Sequence, residues 1–170
     1  MSAANSATTT GMHLDLMSRL DALRDAVAAA QKTLQVQFGW EFALAGMPDA
    51  PDPRSCDYGS TIALTGADTR YTYAIVCDAA AARAFARTFF ALDEGEEPDP
   101  ADLADALNEL PNVAAGVWKA RRERRGESYQ LGLPLFMRGH GWLQYFSKGV
   151  NAIAQPLRDP PCGKVGDELA

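Results

Sequence analysis

The sequence predicts a single α+β domain in which an antiparallel β-sheet packs against long α-helices. Two patterns carry that prediction. Over residues 12–34 and 99–125, apolar residues recur at three- and four-residue steps, the period of a helix with one buried face. Over 58–65 and 70–77, Ile62, Leu64, Tyr71, Tyr73 and Ile75 alternate with smaller or polar residues, the period of a half-buried strand. The order helix, two strands, two helices, then two or three strands completes the α+β pattern.

Residues 1–11 are rich in Ser, Thr and Ala and offer nothing to a core, so a disordered arm is expected, with the domain spanning 12–157. The first helix covers 12–34 or a little more. Leu16, Leu20, Leu23, Val27 and Leu34 form its apolar face, and Gly39 ends it. A short strand over 40–45 and a loop with three prolines over 47–56 follow. The strands 58–65 and 70–77 are joined by Gly66, Ala67, Asp68 and Thr69 as a hairpin loop. Asp78 suits the N-cap of a second helix over 79–92, with Phe85, Phe89 and Leu92 inward, and an acidic link over 93–98 follows.

The third helix, 99–125, has well-marked ends. Asp99 is a good N-cap, Pro100 suits the first helical position, and Asp102 stands where a capping-box carboxylate belongs. Leu103, Leu107, Leu110, Ala114 and Val117 make its apolar stripe. Acids open it, and Lys119, Arg121, Arg122, Arg124 and Arg125 close it, complementing the macrodipole. A strand over 129–137 comes next, in which Pro134 signals an edge, a bulge or a bend. A turn over 138–141, strands over 142–147 and 150–157, and a flexible tail over 158–170 complete the chain.

Composition excludes several classes. With 170 residues, 47% of them hydrophobic, the chain suits one domain with a substantial core. A net charge of −6 argues against non-specific nucleic-acid binding, and the basic run 119–125 reads as a solvated helix end. Cys56, Cys77 and Cys162 are odd in number and widely spaced, as expected of free thiols in a reducing cytoplasm. His13 and His140 lie far apart, so no metal site is expected. No apolar run is long enough to span a bilayer. Cys162, Gly163, Lys164 and Gly166 lack P-loop spacing, His140 lacks a nucleophile elbow, and the acidic residues of 93–99 do not form an EF-hand.

Opposite the leucines of the third helix, Asp105, Glu109, Asn112 and Gly116 fall within about 60° of one another at about 100° per residue. Glu109 and Asn112, three apart, are neighbours on that face. Gly116 costs about 1 kcal/mol of helix propensity against alanine. Two readings fit: a solvated face with one tolerated glycine, or a carboxylate and a carboxamide above bare backbone that a partner approaches closely.

Asp105, Glu109, Asn112, the small residues after them, Gly116 and a downstream Pro134 in a strand together resemble the CheC/CheX/FliY chemotaxis phosphatases, the CheX branch above all because the motif occurs once. The likeness extends over residues 14–157. It implies the antiparallel α+β fold and a phosphatase that removes the aspartyl phosphate of a CheY-type response regulator in chemotaxis or two-component signalling. A non-catalytic module that docks on a response regulator or flagellar switch component is the alternative. The resemblance assigns Asn112 and Glu109 to catalysis, with Asn112 orienting the attacking water and Glu109 reaching the regulator's phosphate-site lysine. Asp105, Gly116 and Pro134 would meet the partner. It also implies a homodimer and no cofactor in this chain, Mg2+ arriving with the regulator. One residue departs from the family pattern. Pro111 stands between the glutamate and the asparagine, where a small residue is usual, and a proline there is expected to kink the helix.

Overall fold

The computed structural model describes residues 3–41, 43–44, 56–93, 95–139 and 157–158, with side chains described from Met17 onward except at 43–44 and 157–158. The elements are α1 (Ala3–Phe38), β1 (Ala43–Leu44), β2 (Tyr58–Thr65), β3 (Arg70–Cys77), α2 (Ala79–Phe89), α3 (Pro100–Glu123), β4 (Gln130–Leu131), β5 (Leu135–Arg138) and β6 (Leu157–Arg158). The strands expected over 142–147 and most of 150–157, the loop 47–55, His140 and Cys162 lie outside the described residues.

The hairpin is as the alternation predicts. β2 and β3 pair antiparallel from Tyr58↔Cys77 to Thr65↔Arg70, and the Gly66 N–H donates to the Thr69 carbonyl at 2.8 Å to close the loop. β4 and β5 form the third strand, on the other side of β2. Leu64 faces Leu131 and Thr61 faces Leu135, so β2 takes three steps where its neighbour takes four. The extra residue makes a bulge. Pro134 lies in it, where its missing N–H breaks no ladder bond, and Leu133 is turned out to 89% exposure. The single strand expected over 129–137 is therefore two short strands around a bulge.

The helices cover one face of this sheet. α3 lies along β2, where the buried Ser60 hydroxyl donates to Asn108 Oδ1 at 2.8 Å. α1 lies beside α3 and over β3. Trp118 Nε1 donates to the Ala22 carbonyl, and the Tyr73 hydroxyl to that of Ala26, both at 2.9 Å. Leu34, Phe85, Leu103, Leu107 and Leu110 fill one end of the core, and Ile62, Leu64, Trp118 and Tyr129 fill the other. Among the described residues no helix is long and apolar enough to cross a membrane.

Several expectations are corrected. α1 begins at Ala3, within the segment expected to be an arm; Ala3, Ala4 and Ala7 are strong helix formers. Its buried stripe is Ala22, Asp25, Ala29, Ala30, Thr33 and Leu34, while Leu20, Leu23 and Val27 are only half-buried. The small residues let α1 approach α3 closely, and the bulk at the contact comes from Trp118 and Arg122. The helix ends as predicted, with Gly39 at φ +67° donating to Gln35 and Trp40 donating to Leu34. α2 stops at Phe89 rather than at Leu92, with Phe90 as its C-cap. In α3, Trp118 and Ala106 join the buried stripe, while Val117 stays half-buried.

The basic run is not uniformly solvated. Arg122 is 4% exposed and bridges two elements, donating to Asp25 on α1 at 3.2 Å and to Glu127 after α3 at 2.9 Å. Arg125 shares Asp25 at 2.8 Å. The Tyr129 hydroxyl donates to Glu127 at 2.8 Å, and Arg122 stacks over Trp118 at 5.6 Å.

Cys77 is a free thiol, as expected. Burial, reinforced by Cys56, Asp78 and Asp57, pushes the Cys77 thiol from 9.0 up to about 12. At pH 8 its alkylation by iodoacetamide is expected to be on the order of a thousandfold slower in the folded protein than after denaturation. Mass spectrometry of time points reads this directly, and equal rates would show an unshielded thiol.

Candidate functional site

α3 is held so that one face stays open. The Asp99 side chain accepts from the Ala101 and Asp102 N–H groups, and Asp102 accepts from the Asp99 N–H at 3.0 Å, a complete capping box. Leu103, Leu107, Leu110, Ala114 and Trp118 anchor the inner face, and Asn108 ties the flank to Ser60. Asp105, Glu109, Asn112 and Gly116 then point outward: Asp105 is exposed and the other three are half-buried.

Glu109 and Asn112 do meet. Asn112 Nδ2 donates to Glu109 Oε2 at 3.4 Å, a long bond that aligns the two side chains without consuming them. Neither has another hydrogen-bond partner among the described residues. Pro111 does not interrupt α3, which is one helix from Pro100 to Glu123. Its ring is fully buried on the side away from the open face. Burial thus offsets part of the lost backbone bond to Leu107, and the pair on either side of the proline keeps its helical alignment.

Gly116 marks an opening. A Cβ built there would meet nothing within 4 Å, so packing does not require glycine. Replacing it with alanine is expected to stabilise the free protein by about 0.5–1 kcal/mol, measurable by urea denaturation. Pro134 belongs to the sheet rather than to α3. It is linked to the helix face only indirectly, since Asn108 bonds Ser60 and Ser60 pairs with Phe136, two residues beyond Pro134. Leu133 and Leu135, exposed by 89% and 52%, flank it.

Sequence reasoning missed Ser60 and Asn108. The signal was present: Ser60 shares the inward parity of Ile62 and Leu64 and needs a polar partner there, and Asn108 stands one turn before Asn112.

Chemically the face is suited to act on a partner rather than alone. A carboxamide both donates to and accepts from water, and a carboxylate accepts from a cation. Among the described residues no three His, Cys, Asp or Glu side chains converge on a point where a metal would sit.

The family model for the chemotaxis phosphatase CheX matches residues 58–158. The chain belongs to the CheX family. Among solved structures, the CheX–CheY–BeF3–Mg2+ complex from Borrelia burgdorferi is similar to it with a TM-score of 0.66 at 19% identity, over 81% of this chain and 89% of that one. The chemotaxis protein CheX from Desulfovibrio desulfuricans gives 0.59 at 18% identity, over 70% and 78%. CheX from Vibrio vulnificus gives 0.59 at 17%, over 69% and 74%. At these identities the structural likeness establishes the fold, and the antiparallel α+β architecture is that of CheX. Comparison with curated proteins returns no sequence match.

Proposed function

We propose that this CheX family member accelerates hydrolysis of the aspartyl phosphate on a CheY-like response regulator in the cytoplasm. The observation that carries the reading is the aligned Glu109–Asn112 pair on an outward helix face, with open backbone at Gly116. Membership in a chemotaxis phosphatase family and likeness to a CheX solved with CheY support it.

An acyl phosphate needs little covalent help. It needs a water held in line with phosphorus and relief of the charge on the transferring group. Asn112 holds that water. The water oxygen bonds to phosphorus, the bond to the aspartyl oxygen breaks, and the carboxylate and inorganic phosphate leave. Glu109 accepts a charge-assisted bond from a lysine of the regulator's phosphate site and fixes the dock. Asp105 and Gly116 flank the contact, and Pro134 with its exposed leucines extends it. Mg2+ comes with the regulator and supplies charge neutralisation there. With one copy of the motif per chain, the working form is a homodimer with two such faces.

The test is the decay of a phosphorylated regulator from the same organism with substoichiometric protein. Multiple turnovers are expected. Glu109→Ala is expected to weaken docking by about 2 kcal/mol, roughly thirtyfold in affinity. Phosphorylation-dependent binding without faster decay would make the protein a docking module, and no binding to any regulator would refute the reading.

A further inference from the structure

A second charged feature begins where the candidate site ends. Asp105, Glu109, Val113, Val117 and Arg121 form one row of fourth residues along α3, and Asn112, Gly116, Ala120 and Arg124 form the next. Both rows lead from the open face into a groove of about 450 Å³ between α1 and α3, lined by Lys32, Val117, Ala120, Arg121, Arg124, Arg125 and Asp25. At 1.5 Å per residue the groove's arginines lie about 18 Å along the axis from Glu109 and Asn112.

The cations differ in their commitments. Arg125 is held by Asp25, and outside the groove Lys119 pairs with Glu123 at 3.6 Å. Lys32, Arg121 and Arg124 have no ion pair or side-chain hydrogen bond among the described residues. The macrodipole of α3 accounts for cations at its own end. It does not account for Lys32, which is on α1, more than a turn before that helix ends. Three cations from two helices, unpaired among the described residues, thus face one groove in a chain of net charge −6.

We infer that this groove is the electrostatic arm of the docking surface and seats an acidic surface patch of the regulator about 18 Å from its phosphorylation site. The inference rests on the function proposed above. A chain of net charge −6 that carries Asp105 and Glu109 at one end of this surface has its complement for an acidic partner in Lys32, Arg121 and Arg124 at the other. The Debye length of about 8 Å at physiological salt requires that charge to touch the partner rather than act at a distance. Gly116 and Ala120 leave the track between Asn112 and Arg124 free of bulk.

The experiment is stopped-flow association of the full chain with phosphorylated regulator at 50 and 500 mM NaCl, comparing wild type, Arg121→Glu/Arg124→Glu and Lys32→Glu. The double reversal is expected to slow association about tenfold or more at 50 mM, and Lys32→Glu by a smaller factor in the same direction. Both approach the wild-type rate at 500 mM, which also shows that they are folded. Wild-type rates in the reversed variants at 50 mM would overturn the groove while leaving the phosphatase reading intact. If wild type associates but does not hasten decay, the phosphatase reading fails and the groove is still judged by the reversals. If wild type does not associate, both are overturned.

Discussion

Asn112→Ala is expected to lower the maximal rate of regulator dephosphorylation by about two to three orders of magnitude while leaving the fold in place. The magnitude is that of removing one preorganised polar group that acts only on the transition state, about 3–4 kcal/mol. Structure argues that little stability goes with it. Asn112 is half-buried, and its one side-chain hydrogen bond among the described residues is the 3.4 Å contact to Glu109, so the change should stay within about 0.5 kcal/mol in a urea titration. Asn112→Asp separates shape from chemistry. It keeps the size but loses the donor and sets a negative charge against a phosphoryl group, so it should be as inactive as alanine. Regulator decay followed by radiolabel or by fluorescence reads both. Retention of the wild-type rate by Asn112→Ala would remove this residue from the water-positioning role.

The sequence and the structure agree most closely where local chemistry decides the outcome. The bounds of β2 and β3 are those of the alternation, and the capping box at Asp99 and Asp102 forms as its spacing requires. The face carrying Asp105, Glu109, Asn112 and Gly116 follows from helical periodicity alone. What local chemistry could not show depends on distant partners. The leucines of α1 are the louder apolar signal, yet the alanine stripe is buried, because close helix approach favours small residues opposite a tryptophan. The tolerance of Pro111 depends on its ring being buried, which its own neighbours do not reveal. Arg122 looked like one base in a run of five. Its position one turn after Trp118, on the core face, distinguishes it from Arg121 and Arg124.

That position makes Arg122 the residue whose loss should cost most stability. Its guanidinium joins Asp25 of α1 to Glu127 after α3, with Tyr129 sharing Glu127 and Trp118 beneath it. Arg122→Ala would leave Asp25, itself 6% exposed, with only Arg125, whose side chain is half in solvent, and would open a void beside Trp118. Breaking a buried pair from one side typically costs about 3–5 kcal/mol, because the partner charge stays desolvated. For a domain of this size that corresponds to a fall in Tm of roughly 6–20 °C by calorimetry. Arg122→Lys retains charge but not the fork that serves two carboxylates, so it should recover only part of the loss. Pairing Arg122→Met with Asp25→Asn removes both buried charges and is expected to be milder than Arg122→Ala alone. If the double variant is instead as unstable as the sum of its singles, the two residues act independently, and the bridge does not hold α1 to α3.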